Sequence, residues 1–354
     1  MRSPRVSVII PVYNIGTYLP LCLNSLIHQT LSEIEIICID DASTDDSAQI
    51  VKTFQAQDSR IQLLQQTHQG VSAARNLGIL QARGKYISFV DGDDWIEKDM
   101  LEIMLATIED TDCDMVVCSS QVHFEQQSIR NRCHYRSLQA ALTVKEDTCD
   151  TDGTISGIWS AVKSPGSWPF VWNKLIRSEL IKENSIHFSP ALLLGEDGVF
   201  TQLLFQYAKN VVFVPKALYH YRYQRKSSAT ENLFQNEIIR FQQHIEITAV
   251  MLCEFYERGL LEKNGKNLLQ WLLLFLYADF ISLPAANRHN TAMILQNLFA
   301  KYDMTSYSNG LSYIEQKRLR NILETTKACS EVKRIFDIVQ TKVENRVGRI
   351  FSQK

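Results

Sequence analysis

The feature that most constrains this chain is an alternation of strand and helix signals through its first third. Short runs rich in β-branched and apolar residues fall at Val6–Val12, 34–39, 61–64, 86–90 and 115–118. The four intervals between them carry apolar residues at helical spacing, at 19–28, 46–57, 71–82 and 100–109. Strands separated by helical segments of this length predict βαβ units, a mostly parallel sheet and right-handed crossovers. Such crossovers bring the loops after the strands to one edge of the sheet, where open α/β sheets bind ligands.

The polar residues gather at those strand ends. Pro11-Val12-Tyr13-Asn14 closes the first strand, Asp40-Asp41-Ala42-Ser43-Thr44-Asp45 follows the second, and Asp91-Gly92-Asp93-Asp94-Trp95 follows the fourth. Three turns far apart in sequence are thereby expected to share one crevice. Carboxylates at i and i+2, as in Asp91 and Asp93, suit a hard divalent cation that takes its other ligands from water and phosphate. The plainer alternative is a solvated turn capping the next helix, and one of Ser43, Thr44 and Asp45 is expected to cap the helix near Asp46. A carboxylate at Asp41, at the end of an apolar strand, is able to accept the N–H of a pyrimidine base. Gly70 opens a helix whose small residues (Val71-Ser72-Ala73-Ala74-Arg75-Asn76-Leu77-Gly78) allow close packing on the sheet. Arg75 then either holds a diphosphate or pairs with a crevice aspartate. Glu196-Asp197, isolated among apolar residues, reads as a helix cap or as a buried general base, the cap being the plainer reading. His220, in an aromatic run, is expected to be packed, and His68 stays ambiguous.

The remaining chain is less patterned. Residues 122–223 hold irregular aromatic and Gly/Pro turns and end in a strand-like 211–215, and the chain from Asn232 reads as helical. The expected organisation is three segments, 1–121, 122–230 and 231–354, the last of them helical. With 37 basic and 39 acidic residues in 354, the formal charge of −2 excludes the cationic excess that drives nucleic-acid binding. Eight scattered cysteines without a C-x-x-C pair argue against a zinc ribbon and for reduced thiols in the cytoplasm. The start Met1-Arg2-Ser3-Pro4-Arg5 lacks a signal-peptide shape, and the apolar stretch 268–283 is shorter than the roughly 20 residues of a spanning helix. The tail 332–354 mixes apolar residues with Lys333, Arg334, Lys342, Arg346 and Arg349. A basic amphipathic helix on the cytoplasmic face of an anionic membrane, a last helix packed on the body and a homodimer contact are all open readings of it.

Together, Val6 to Asn14, Asp40 to Asp45, Gly70 to Gly78 and Phe89 to Trp95 resemble the motifs of the family-2 glycosyltransferases, in order and in spacing. A weaker likeness to the bacterial branch that builds surface polysaccharide and lipopolysaccharide continues through Trp172-Asn173-Lys174, Glu196-Asp197 and Tyr219 to Tyr223. The resemblance implies the GT-A fold, a Rossmann-like sheet flanked by helices, and inverting transfer of a hexose from a nucleotide sugar, usually UDP-linked, to a hydroxyl of a glycan or lipid-linked glycan. It implies that Pro11, Val12, Tyr13, Asn14, Asp41 and Gly70 hold the nucleotide with Arg75, Asp91 and Gly92, that Asp93 binds Mn²⁺ or Mg²⁺, and that Asp197 is the base. Asp94, Trp172, Asn173, Lys174 and Glu196 are implied near the donor sugar or acceptor. A nucleotidyltransferase and a non-catalytic nucleotide-sugar sensor on the same fold are the competing expectations.

Overall fold

The structure, a computed structural model, describes residues 3–124, 170–223 and 237–325. The expected membrane-facing tail at 332–354 lies outside the described residues, as does the Gly/Pro-rich turn at 164–169. The chain divides into two compact units, residues 1–226 and 227–354.

The first unit is built on one eight-stranded sheet. Its elements run β1 (Val6–Val12), α1 (Leu19–Ile27), β2 (Ile34–Asp40), α2 (Ser47–Gln57), β3 (Ile61–Gln65), α3 (Val71–Gln81), β4 (Tyr86–Phe89), β5 (Trp95–Ile96), α4 (Met100–Asp110), β6 (Met115–Phe124), β7 (Lys174–Arg177), α5 (Ser178–Glu183), α6 (Glu196–Tyr207) and β8 (Val211–Tyr223). The strand order is β3-β2-β1-β4-β7-β6-β8-β5. The parallel half, β3-β2-β1-β4, matches the alternation read from the sequence. Beyond β4 the sheet becomes mixed: β7 pairs antiparallel with both β4 and β6, while β6 and β8 pair parallel.

The central strands are apolar on both faces because helices cover both sides. Every residue of β2 is buried, and in β1 only Pro11 is not. Glu35 is tolerated inside β2 because Ser7 Oγ, its register partner, donates to it at 2.6 Å and Arg83 Nε and Nη2 donate at 2.9 and 2.7 Å. On α1, Leu19, Cys22, Leu23 and Leu26 form one buried stripe at helical spacing. On α3, Gly78 is needed for close approach: a Cβ there would sit 2.4 Å from Ile9 Cγ2. Cys22, Cys38, Cys113 and Cys118 are buried thiols, and burial pushes Cys38 and Cys118 up to about 12.

The second unit is helical, with α7 (Glu237–Glu257), α8 (Leu261–Ser282), α9 (Ala285–Lys301), a 3₁₀ turn (Met304–Ser308) and α10 (Tyr313–Leu323). Leu268, Leu269, Leu272, Leu273, Leu276 and Phe280 of α8 are buried against its neighbours. A reciprocal Ser312–Glu315 capping box starts α10. Among the described residues no helix is long and apolar enough to cross a membrane.

Candidate active site

The loops after β1, β2, β3 and β4 meet along the edge of the parallel half. Asn14, in the left-handed region at φ +50°, accepts from Thr44 N–H at 2.7 Å and from Asp45 N–H at 3.4 Å, so the first turn is tied to the second. Asp45 also accepts from Gly16 N–H at 2.9 Å and from Ser47 N–H, the first residue of α2, at 3.0 Å, but the N-cap is Asp46, which makes no side-chain cap bond, so the cap expected from Ser43, Thr44 or Asp45 is not met. Burial pushes Asp45 up, but the Ser47 hydroxyl and the Gly16 and Ser47 N–H groups outweigh it, so its pKa is lowered. Gly92 lies over the first turn: a Cβ there would sit 2.3 Å from Ile15 Cδ1 and 3.4 Å from Pro11 O.

Asp41 is buried and accepts three hydrogen bonds on its carboxylate. Its Oδ1 accepts from Gln66 Nε2 at 2.7 Å and Gln69 N–H at 2.8 Å, and its Oδ2 from Gly70 N–H at 2.8 Å; His68 Nδ1 lies 2.9 Å from Oδ2 and pairs with the Asp41 carbonyl at 3.2 Å. The next residue, Ala42, is held at φ +62°, a left-handed conformation that costs a residue with a Cβ of order 1–3 kcal/mol. Tyr13, half of it exposed, stacks on the His68 ring at 4.4 Å between centroids.

Arg75 connects the two ends of the crevice. Its guanidinium is 4% exposed; Nη2 donates to Asp91 Oδ1 at 2.8 Å, and Nη1 to Glu196 Oε1 at 2.8 Å and Asp197 Oδ1 at 2.7 Å. Asp91 follows β4 and the other two carboxylates occupy the first turn of α6, so one cation fastens two elements more than a hundred residues apart in sequence. Burial alone would lower the Arg75 pKa, but the three carboxylates raise it further above its ordinary value. The expectation that Glu196 or Asp197 caps α6 is not met: the N-cap is Gly195 at φ +80° and makes no side-chain cap bond, and both carboxylates turn to Arg75 instead.

Burial pushes Asp197 up to about 8; Arg75 pulls it down, Glu196 and Asp91 push it further up, and an N–H from Val171 pulls down again. Asp197 is thereby tuned toward neutrality, in the buried setting that one of its two sequence readings called for. Asp94 points inward: Tyr219 Oη donates to it at 2.7 Å and Arg222 N–H at 2.7 Å, and burial followed by Asp93 and Asp91 raises its pKa well above the carboxylate range. Arg222 Nε donates to the Asp93 carbonyl at 3.0 Å, and its guanidinium lies between the Tyr18 and Trp95 rings.

Trp172, Asn173 and Lys174 are buried where the chain enters β7. Trp172 stacks on Tyr219, Asn173 Nδ2 donates to the Cys118 carbonyl at 2.9 Å, and Lys174 Nζ donates to Asn173 Oδ1 at 2.8 Å and to the Phe170 carbonyl. Burial drives the Lys174 ammonium down to about 7, against the attraction of Asp197. His220 is packed, as its aromatic context suggested, between Trp95, His123 and Glu97. Gln66 and His68, which close around Asp41, had no signal in the sequence beyond their place before Gly70.

Comparison with known proteins decides the family. The profile described as "Glycosyl transferase family 2" matches residues 7–162. The chain is 32% identical to the putative glycosyltransferase EpsH of Bacillus subtilis over 77% of its own length and 76% of the relative's. The chain belongs to glycosyl transferase family 2. Glycosyltransferase YibD of Escherichia coli is 30% identical over 77% of this chain and 74% of its own. GlyA of Streptococcus pneumoniae is 32% identical over 63% of this chain, which spans 31% of GlyA. The GT-A fold is likewise shared with solved structures: TarS of Staphylococcus aureus in complex with UDP-GlcNAc superposes with a TM-score of 0.56 at 22% identity, over 87% of this chain and 93% of that one. A mannosyltransferase of Pyrobaculum calidifontis in complex with GDP-Man and Mn²⁺ gives 0.50 at 18% identity, over 92% and 89%.

The family generally uses a divalent metal, and the residues present fit one. Asp91 and Asp93 are hard oxygen donors on one turn, while Asp94 is drawn inward by Tyr219 and the Arg222 N–H. Mg²⁺- and Mn²⁺-type sites use one or two carboxylates together with substrate phosphates. Among the described residues no group of three or more His, Cys, Asp or Glu is placed to cage an ion.

Proposed function

We propose that this family-2 glycosyltransferase transfers a hexose from a UDP-sugar to a hydroxyl of a glycan or lipid-linked glycan, with inversion at the anomeric carbon. The observation that carries the reading is the Arg75 bridge, which ties Asp91 to Asp197 across one crevice; the reading takes Asp91 as the diphosphate end and Asp197 as the acceptor end. Fold neighbours bound to UDP and UDP-GlcNAc support a UDP-linked donor.

In this reading the β1 turn and Asp41 hold the uridine, with Tyr13 as the ring against the base. Asp93, with Asp91 beside it, holds the divalent cation, which supplies electrostatic stabilisation to the departing diphosphate. Asp197 takes the proton of the acceptor hydroxyl as that oxygen bonds to the anomeric carbon and the bond to the diphosphate breaks. One base and an in-line displacement give inversion. Arg75 keeps Asp197 oriented and offsets part of the burial that raises its pKa. Trp172, Asn173 and Lys174 act from beneath the site, where the Lys174 charge is coupled to Asp197.

Incubation with UDP-sugars, Mn²⁺ and a hydroxyl acceptor, with and without chelator, tests the reading. The expected result is UDP release that disappears with chelator and returns with added metal. Pyrophosphate release, binding without turnover, or full activity in chelator would each overturn it.

A further inference from the structure

Asp41 and Tyr13 are the two groups that the proposed function assigns to the base, and in this structure both are taken by the same side chain. The His68 ring lies on the Tyr13 ring at 4.4 Å with an interplanar angle of 25°, and His68 Nδ1 sits 2.9 Å from Asp41 Oδ2 and 3.2 Å from the Asp41 carbonyl. Both of those partners are acceptors, so Nδ1 carries the proton and donates. A flat π-face on a tyrosine and an in-plane N–H on a carboxylate are also what a pyrimidine base such as uracil offers.

Four groups surround the Asp41 carboxylate, and three of them donate to it. Two are the backbone N–H groups of Gln69 and Gly70, fixed at the entry to α3 where Gly70 holds φ +89°. A third is Gln66, half-buried. The fourth is His68, whose side chain is 57% exposed and needs only side-chain rotation to leave. We infer that His68 is a stand-in for the nucleobase: it occupies the base position between Tyr13 and Asp41, and the donor binds by displacing it. The inference rests on the base-site reading above.

The consequence is a conformational tax on donor affinity. The competent state, with His68 swung out, is a fraction of the population, and the apparent dissociation constant is raised in proportion.

Calorimetric titration of UDP at fixed Mn²⁺ tests this in the wild type, His68→Ala and His68→Ala/Tyr13→Ala. His68→Ala is expected to bind UDP about three- to tenfold more tightly, the worth of one hydrogen bond no longer displaced. In turnover the same variant is expected to lower KM for the donor and leave kcat unchanged, a split that simple damage to the loop does not produce. Unchanged or weaker UDP binding in His68→Ala overturns the inference. If adding Tyr13→Ala to that background still weakens UDP, the base site stands and His68 is only part of its wall. If Tyr13→Ala has no effect in that background, or no variant binds UDP, the base-site reading falls and the stand-in with it.

Discussion

Replacing Arg75 by methionine keeps most of the side-chain volume and removes the cation from a nest of three carboxylates. Glu196, Asp197 and Asp91 are 9%, 15% and 26% exposed at the side chain and lie 2.7–2.8 Å from the guanidinium. Breaking a buried ion pair by removing one partner costs about 3–5 kcal/mol, because the charge left behind is neither solvated nor paired. The folded variant responds by holding protons on these carboxyls at pH values where the unfolded chain, with Asp near 3.9 and Glu near 4.3, has already released them. Each retained proton makes stability fall as pH rises, by about 1.4 kcal/mol per unit, until that group's raised folded pKa is passed. The deficit of Arg75→Met relative to the wild type is therefore small near pH 5 and reaches about 3–5 kcal/mol near pH 8. Urea titrations at both pH values, followed by the fluorescence of the buried Trp172, read this as a midpoint shift of about 1–4 M at the higher pH. A deficit below about 1 kcal/mol, or one equal at both pH values, would refute the argument: Arg75 would then be an ordinary solvated ion pair. Arg75→Lys separates charge from geometry, because a single ammonium cannot span Asp91 and the Glu196–Asp197 pair at once.

Other outcomes are expected from the same geometry. With Asp197 pushed up to about 8, the base form is gained as pH rises, so kcat/KM for the donor should climb about tenfold per unit below that value and level off above it; a flat profile from about pH 6 to about pH 9 would remove Asp197 as the titrating group. Asp197→Asn should retain UDP binding in calorimetry while turnover drops about a hundredfold or more, and a normal turnover number would return Asp197 to a purely structural role. Asp93→Asn should abolish the metal-dependent part of UDP release, whereas full activity would remove Asp93 from the metal. Gly78→Ala gains about 1 kcal/mol of helix propensity but drives a Cβ to 2.4 Å from Ile9 Cγ2, on a β-branched side chain of limited rotamer freedom; a net thermal destabilisation of about 1–3 kcal/mol is expected, and a rise in Tm would show that α3 can shift.

Much of the first unit was legible because period and punctuation agree there. The β-branched runs, the helical spacing and the polar turn after each strand all called for the same βαβ units, and the parallel half of the sheet realises them. The mixed half was not legible. β7 is four residues long and carries Lys174, whose burial depends on Asn173 Oδ1 and the Phe170 carbonyl rather than on anything a strand pattern encodes. It pairs antiparallel with both β4 and β6, strands distant from it in sequence, so its signal is tertiary.

The same distinction runs through the site. Residue types announced which groups collect at the strand ends, and Asp41, Asp91 and Asp93 lie there. What they could not announce is which carboxylates face the crevice and which face the core, since that depends on the partners each one finds. Asp94 follows Asp93 in sequence, yet Tyr219 and the Arg222 N–H, 125 and 128 residues downstream, take both its oxygens and turn it inward. Asp197 was expected among apolar residues; its burial makes it hard to ionise, and Arg75 offsets part of that cost. A base tuned in this way is available near neutral pH only while Arg75 stays beside it. Arg75 thus makes the reactivity of the α6 end depend on the geometry of the β4 end, where the diphosphate is expected.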